Sequence, residues 1–323
     1  MAGLQIPACA LTDPSMKLQQ LRALEAIAEC GSLQEASRVL HVTQPALSKS
    51  IKELESNVGA SLFIRSSKGM YLTPAGQRLA MHARLINEDV RRARDDLDDM
   101  NGKVTGEVVI GVTPVSGSVS ALASCIAGFH REFPNARLRL REMRPAQMNE
   151  ELRSGAIHIG VTSQPPAAES GLNCVHVCDV PSVIVVRKGH PLRAARSVHA
   201  LQHSGWLSLD PLHDTSAPLH ELFASCGLPL PVRTIECTSM TLAMDLTLEL
   251  DALIVLSAEL FRRGAMAAQL DAMVAIVPVA EPVPPRRISL ITRDRGVLTW
   301  AAARLHDALQ LAFAKAAPRA LAA

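Results

Sequence analysis

The stretch HVTQPALSKSIKELE, His41 to Glu55, decides how the N-terminal part of this chain folds. Apolar residues recur at Leu47, Ile51 and Leu54, with Val58 just beyond, which is the spacing of one helix face. Thr43 is a good N-cap for that helix. Pro45 then falls at the second helical position, where a missing N–H would have had no intrahelical partner in any case. The opposite face carries Gln44, Pro45, Ser48, Lys49 and Lys52. Its amide and hydroxyl groups can reach base edges, and its two cations can meet phosphate. A merely solvated helix face has the same composition, so this stretch alone leaves both readings open.

The flanking sequence narrows the choice. Upstream, Leu18, Leu21, Leu24 and Ile27 form an amphipathic helix ended by Gly31. Ser32 and Glu35 make an S-x-x-E capping box for a second helix that turns Leu33, Ala36 and Leu40 inward. The short break at His41-Val42 completes a helix-turn-helix. Downstream, GASLFIRSSKGMYLTPAG (59–76) holds two strand-like runs, SLFI and MYLT, around Ser66-Ser67-Lys68-Gly69. That is a wing, suited to backbone or minor-groove contact through Arg65 and Lys68.

Thr73-Pro74 opens a long helix. Its apolar residues, Leu79, Ala83, Ile86, Val90, Ala93, Leu97 and Met100, step 4-3-4-3-4-3, a heptad seam. One alternative is a solitary helix lying on its own domain. The narrow seam and the charged flank RRARDDLDD favour a dimerising helix.

Charge supports this locally rather than globally. The net charge of +2 says little, and residues 1–103 hold thirteen Lys/Arg against twelve Asp/Glu. Yet no acid lies between Glu35 and Glu53 or between Glu55 and Glu88, while Arg38, Lys49, Lys52, Arg65, Lys68, Arg78 and Arg84 do. One face of a nearly neutral protein can therefore be positive, the least that phosphate binding needs. Seven cysteines without a CxxC spacing make no disulfide framework, which fits a reducing cytoplasm. No run is apolar for long enough to span a membrane, and residues 1–15 read as a loose tail without a signal peptide.

After Asn101–Glu107, a hinge, the pattern changes. VVIGV (108–112), RLRLR (137–141) and IHIGVT alternate with helices, which argues a parallel α/β sheet. The pattern restarts at VIVVRKGHP and runs through WLSL (206–209), VRTIE and ALIVL (252–256). RISLITR (287–293) and a last helix from Thr299 to Lys315 close it. The expected fold class is α plus α/β. It comprises a tail (1–15), a winged helix-turn-helix (16–73), a linker helix (74–102), a hinge (103–107) and a two-lobed α/β domain (108–323). Lobe one covers about 108–163 and 268–323, lobe two about 164–267.

The run Leu18–Gly76, with SLQEASRVLHVTQPALSKSIKELE and LFIRSSKGMYLTPAG, resembles the DNA-binding domain of LysR-type transcriptional regulators. FHREFP and the GHPL after the first lobe-two strand extend the resemblance across most of the chain. GLPLP and ELDALIVL are similar to the branch that regulates toluenesulfonate degradation and a sugar-binding protein. Membership implies a periplasmic-binding-protein-like effector domain, a linker coiled coil and a homotetramer on double-stranded DNA, with RNA polymerase as a further candidate partner. Carried over by position, base contacts fall on Gln44, Pro45 and Ser48, and phosphate contacts on Thr43, Lys49 and Arg65. Effector contacts fall on Thr113, Pro114, Val115, Ser116, Gly117 and Ser118, on Asp214, Thr215 and Ser216, and on Ser239 and Met240. The first two loops lead into helix N-termini rich in hydroxyls, which suit an anionic effector, though such loops are also ordinary capping turns. The sequence departs from the family's pattern at His158, where Asp is common, and at Glu249 and Asp251, where glycines are. Both departures are expected near the cleft or its walls.

Other chemistries are weaker. NCVHVC sets Cys174, His176 and Cys178 on one strand face, ligands soft enough for zinc or copper, but a fourth ligand is not evident. A redox sensor like the family's peroxide-responsive branch needs a reactive cysteine in LDPLHDTSAPL, which has none. No GxSxG or HExxH occurs, so neither an enzyme nor a cofactor is expected. The rival reading is a solute-binding or enzymatic α/β protein with an incidental helical domain.

Overall fold

The computed structural model describes residues 16–66, 69–100, 106–262, 265–294 and 298–316. They fall into two compact units that divide near Lys103. The tail, the wing tip Ser67-Lys68 and residues 101–105 of the expected hinge lie outside the described residues.

The first unit comprises α1 (Leu18–Cys30), α2 (Leu33–Val39), α3 (Gln44–Val58), β1 (Phe63–Ser66), β2 (Gly69–Leu72) and α4 (Pro74–Met100). Its core joins Leu21, Leu24 and Ile27 of α1 to Ala36, Leu47, Ile51, Leu54 and Leu62, and to Ala80 and Ala83 of α4. Each large side chain buried there stabilises the unit by about 1.5–3 kcal/mol. Gly31 ends α1 at φ 64, a left-handed position, and its amide donates to Ile27 O at 2.9 Å. Ser32 accepts from the amides of Gln34 and Glu35. The Glu35 carboxylate pairs with Arg38 at 2.7 Å instead of closing the expected box.

The wing begins later than SLFI suggests. Glu55 accepts from the amides of Leu62 (2.7 Å) and Phe63 (3.3 Å), and Thr73 N donates to Leu62 O at 3.0 Å. Residue 62 is thereby spent on α3 and the α4 cap, and hairpin pairing runs from Phe63↔Leu72 to Ser66↔Gly69.

Along α4 the heptad seam divides. Leu79 packs against the unit's own core and Ala83 is fully buried there. Beyond them Ile86 is 40% exposed and Leu97 62%, and Ala93 is exposed. Asn87 donates to Glu25 at 2.6 Å and Arg84 lies 3.7 Å from Glu29, which ties α4 to α1. Burial raises the Glu25 carboxyl above its ordinary range, against the lowering pull of Asn87.

The second unit holds β3 (Glu107–Val112), α5 (Pro114–Gly117), α6 (Ser120–Glu132), β4 (Arg137–Glu142), α7 (Pro145–Arg153), β5 (Ile159–Thr162), β6 (Asn173–Val180) and β7 (Ser182–Arg187). It continues with β8 (Trp206–Ser208), α8 (Pro218–Ser225), β9 (Thr234–Glu236), α9 (Met240–Glu249), β10 (Leu253–Ser257), α10 (Ala265–Met273), β11 (Val274–Ile276), β12 (Arg286–Thr292) and α11 (Trp300–Ala316). Two five-stranded sheets result, in the orders β4-β3-β5-β12-β6 and β11-β7-β10-β8-β9.

This topology moves both expected lobe boundaries. β6 runs antiparallel to β12 and so belongs to lobe one, placing the first crossing at Pro181 rather than at 164. β11 runs antiparallel to β7 and Val277 packs in the lobe-two core, so the return to lobe one falls just before β12 rather than at 268. Polar composition hides β6 from a sequence reading, and brevity hides β11.

Two further expectations are corrected. The β6–β12 register slips by one residue at Val177, and this bulge reverses the facing of the residues beyond it. Cys174 and His176 are exposed while Cys178 is buried, so the three do not share a face. Burial, with help from Asp179 and Glu259, pushes the Cys178 thiol up to about 11. His158 and Asp251 lie away from the cleft loops, at the entry ends of β5 and β10. His158 Nδ1 accepts from Val109 N at 2.8 Å, a bond inside the sheet. Asp251 has φ 52, which explains why glycine suits that position, and its carboxylate pairs with Arg187.

Candidate nucleic-acid interface and effector cleft

The start of α3 is built as its sequence requires. Thr43 Oγ1 accepts from Ala46 N at 3.4 Å, and Pro45 sits in the first turn, where no donor is lost. Leu47, Ile51 and Leu54 are buried, which forces Gln44, Pro45, Lys49 and Lys52 outward, with Ser48 half-buried beside them. Lys49 lies 3.9 Å from Glu53 in an exposed pair, a weak contact that a phosphate can replace. Lys52 has no carboxylate partner among the described residues. Arg65 stands in β1 opposite Met70, and Lys68 lies outside the described residues.

Glu55 escapes a sequence reading, because nothing in KELES distinguishes it from a solvated acid. Its two backbone contacts fix the wing to the end of α3. Glu55→Ala leaves both amides without that acceptor, a loss of about 1–3 kcal/mol. The Leu62 and Phe63 amides are then expected to exchange with solvent roughly tenfold faster or more, the ratio that about 1.4 kcal/mol gives. Unchanged exchange at both amides would show that the wing does not depend on this carboxylate.

In the second unit the candidate loops differ from one another. Thr113 and Ser116 are buried and their hydroxyls are occupied. Ser116 Oγ lies 2.6 Å from Val161 O, 2.9 Å from Thr113 O and 3.1 Å from Thr113 Oγ1, and Thr113 Oγ1 accepts from Ser163 N at 3.2 Å. These two lock β3 to β5 and leave Pro114 and Gly117 as the exposed members of the loop. Ser118 donates to Val115 O. Ser239 caps α9 by accepting from Leu242 N, and Met240 packs against the lobe-two core.

The loop after β8 is richer. Asp214 accepts from Ser216 N at 2.9 Å, Ser216 Oγ at 2.7 Å and Gln164 Nε2, across from lobe one, at 3.1 Å. Arg286, at the start of β12, donates through Nη1 to Ser216 O and to Glu221 Oε2, both at 2.9 Å. Burial works to raise the Asp214 carboxyl, but its bonds to Ser216 and Gln164 and the nearby Arg286 bring it below its ordinary range. Asp210 goes the other way, raised by burial and by Asp214 against the pull of Arg286 and Arg144. The structure therefore gathers Asp214 and Ser216 with Gln164, Asp210 and Arg286. Asp210 comes from the same loop, whereas Gln164 and Arg286 carry no local signal and become neighbours only through the crossings between lobes.

A winged helix-turn-helix followed by a long helix and a two-lobed α/β domain defines a DNA-binding regulator that responds to a small molecule. Residues 18–77 match the bacterial regulatory helix-turn-helix protein, lysR family, and residues 101–314 match the LysR substrate binding domain. The chain belongs to the LysR family of transcriptional regulators.

Among its relatives is the HTH-type transcriptional regulator YdcI of Escherichia coli (strain K12), 30% identical over 244 residues, covering 75% of this chain and 79% of the relative. PcaQ of Agrobacterium fabrum is 28% identical, covering 83% of this chain and 86% of PcaQ. Of solved structures, CbnR, a LysR family transcriptional regulator, is similar at TM-score 0.66 and 22% identity, covering 92% of this chain and 99% of CbnR. A full-length OxyR variant from Pseudomonas aeruginosa has a TM-score of 0.69 at 21% identity, covering 93% and 95%. These structures share the fold, and the relatives single out no branch of the family. Among the described residues no group of three His, Cys, Asp or Glu could hold a metal, and no helix is long and apolar enough to cross a membrane.

Proposed function

We propose that this protein binds promoter DNA as an oligomer and senses a small anionic or polyhydroxylated metabolite between its two lobes. The observation that carries the DNA reading is the outward face of α3. Gln44, Pro45 and Lys49 are held outside the core by a buried Leu47–Ile51–Leu54 row, with Ser48 at their side. Two such helices, paired through α4, would enter successive major grooves roughly 34 Å apart. A tetramer on two sites, with RNA polymerase as a contact, is the family's arrangement and extends the same proposal. The effector would act by binding one arrangement of the lobes better than another, since only differential affinity shifts a population. The solute-binding alternative gives the α3 face no task.

Mobility shifts on promoter DNA test the reading. Gln44→Ala and Ser48→Ala are expected to relax sequence preference, each by about 1–3 kcal/mol at the base pair it contacts. Lys49→Ala is expected to weaken binding to all sequences and to lower the salt slope by roughly one. Wild-type shifts from all three variants would overturn it.

A further inference from the structure

The turn that opens α8 reads as an anion site that is already filled. Asp214 takes three donors there: the amide and hydroxyl of Ser216 and, from lobe one, the side-chain amide of Gln164. Behind the turn Arg286 is only 5% exposed; its Nη1 bonds Ser216 O and Glu221, and its Nε is buried with no hydrogen-bond partner among the described residues. A guanidinium so shielded from water attracts negative charge, and Glu221 at 2.9 Å already answers part of it. Asp210, in the same loop, has no hydrogen bond to its carboxylate among the described residues, and burial raises it above its ordinary range against the pull of Arg286 and Arg144, with Asp214 adding to the rise. The donors thus settle one carboxylate fully, and a second one beside it is not settled. Thr215 and Ser216 are exposed, so the turn is open to a solute.

We propose that Asp214 is the resident anion of the effector site. Its carboxylate fills the donors that an effector's carboxylate takes, and its displacement frees Gln164 and one of the ties between the lobes, leaving the bonds of Arg286 to Ser216 O and Glu221. This rests on the effector reading above and makes it more specific, to a ligand bearing a carboxylate. The Gln164–Asp214 bond exists only while Asp214 holds its place, so a ligand that takes the place distinguishes lobes joined by both contacts from lobes joined by Arg286 without Gln164. That difference in affinity is what a conformational response requires. A cationic ligand would bind beside Asp214 and leave the tie intact.

The test uses the full chain without DNA, with sodium acetate as the carboxylate probe. Asp214→Asn keeps the size of the side chain and removes its charge. It is expected to bind acetate about tenfold more tightly than the wild type, or about 1.4 kcal/mol. Hydrogen exchange across 160–168 is expected to quicken when acetate saturates the wild type. In Gln164→Ala, which leaves both Ser216 bonds in place, exchange across 209–217 is expected to be fast already and insensitive to acetate. Equal acetate binding by wild type and Asp214→Asn would overturn the proposal. So would wild-type exchange that acetate does not change. Should Asp214→Asn fail to fold, the exchange response of the wild type and of Gln164→Ala decides alone. Acetate that binds neither the wild type nor Asp214→Asn counts against the effector reading itself, whereas acetate that binds both equally counts against the resident-anion proposal alone.

Discussion

Gly76→Ala is expected to destabilise the N-terminal unit by about 3 kcal/mol or more, at or beyond the upper end of the usual overpacking penalty. A Cβ at position 76 would stand 2.1 Å from Leu62 O and 3.0 Å from Leu62 C, with Leu72 Cδ2 at 3.1 Å. The obstacle is main chain, not the end of a flexible side chain. It is also held on both sides, since Glu55 accepts from Leu62 N and Thr73 N donates to Leu62 O. Relief therefore requires α4 to lift from the wing, which would undo the Thr73 cap at Gly76 N as well. Gly128→Ala is the control: it lies within α6 with nothing within 4 Å of its added Cβ. There alanine is expected to be neutral or to stabilise by up to about 1 kcal/mol. Urea melts of the two variants check this. A Gly76→Ala melt within experimental error of the wild type would mean that α4 does not rest on Leu62 in solution.

The N-terminal unit is the more legible half, because its signals are local. Thr43, Pro45, Gly31 and Thr73 act on their own helix ends, and the 3.6-residue period of α1 and α3 names the buried rows directly. What local pattern cannot supply is the partner of each row. Glu55 and Gly76 look like any acid or glycine until the wing is brought against α3 and α4. The second unit shows the same limit on a larger scale. Its alternation of strands and helices predicts an α/β domain, but the lobe boundaries depend on which strands pair. β6, with Cys174, His176 and Asp179 among its eight residues, carries no core-strand signature, yet it closes the lobe-one sheet. The cleft is no easier. Thr113 and Ser116 have the right chemistry for an anion, but their hydroxyls are spent on Val161 O and Ser163 N. Gln164 and Arg286 reach Asp214 and Ser216 across 50 and 70 positions of sequence, a separation no periodicity reports.

The same contrast between a regular pattern and its partners governs α4, where one seam has two owners. Ala83 is fully buried against α1, whereas Ile86, three residues further along the same heptad line, is 40% exposed. If the exposed part of the seam pairs two chains, Ile86→Lys removes two isoleucine contacts per dimer. At about 1.5 kcal/mol each, that is about 3 kcal/mol, or roughly a hundredfold in dissociation constant. The folded unit itself loses little, because Ile86 is outside its core. Ala83→Lys is expected to do the reverse, forcing an ammonium into the contact between α4 and α1 and unfolding the unit before association is at issue. Sedimentation and urea melts, run on both variants, separate the two parts of the helix. Ile86→Lys should sediment as a smaller species with a near-normal melt, and Ala83→Lys should show a collapsed melt. An Ile86→Lys chain with wild-type sedimentation at micromolar concentration would mean that α4 is a surface helix of its own unit. The Ile86–Leu97 stretch would then be an exposed apolar stripe with no second copy to cover it.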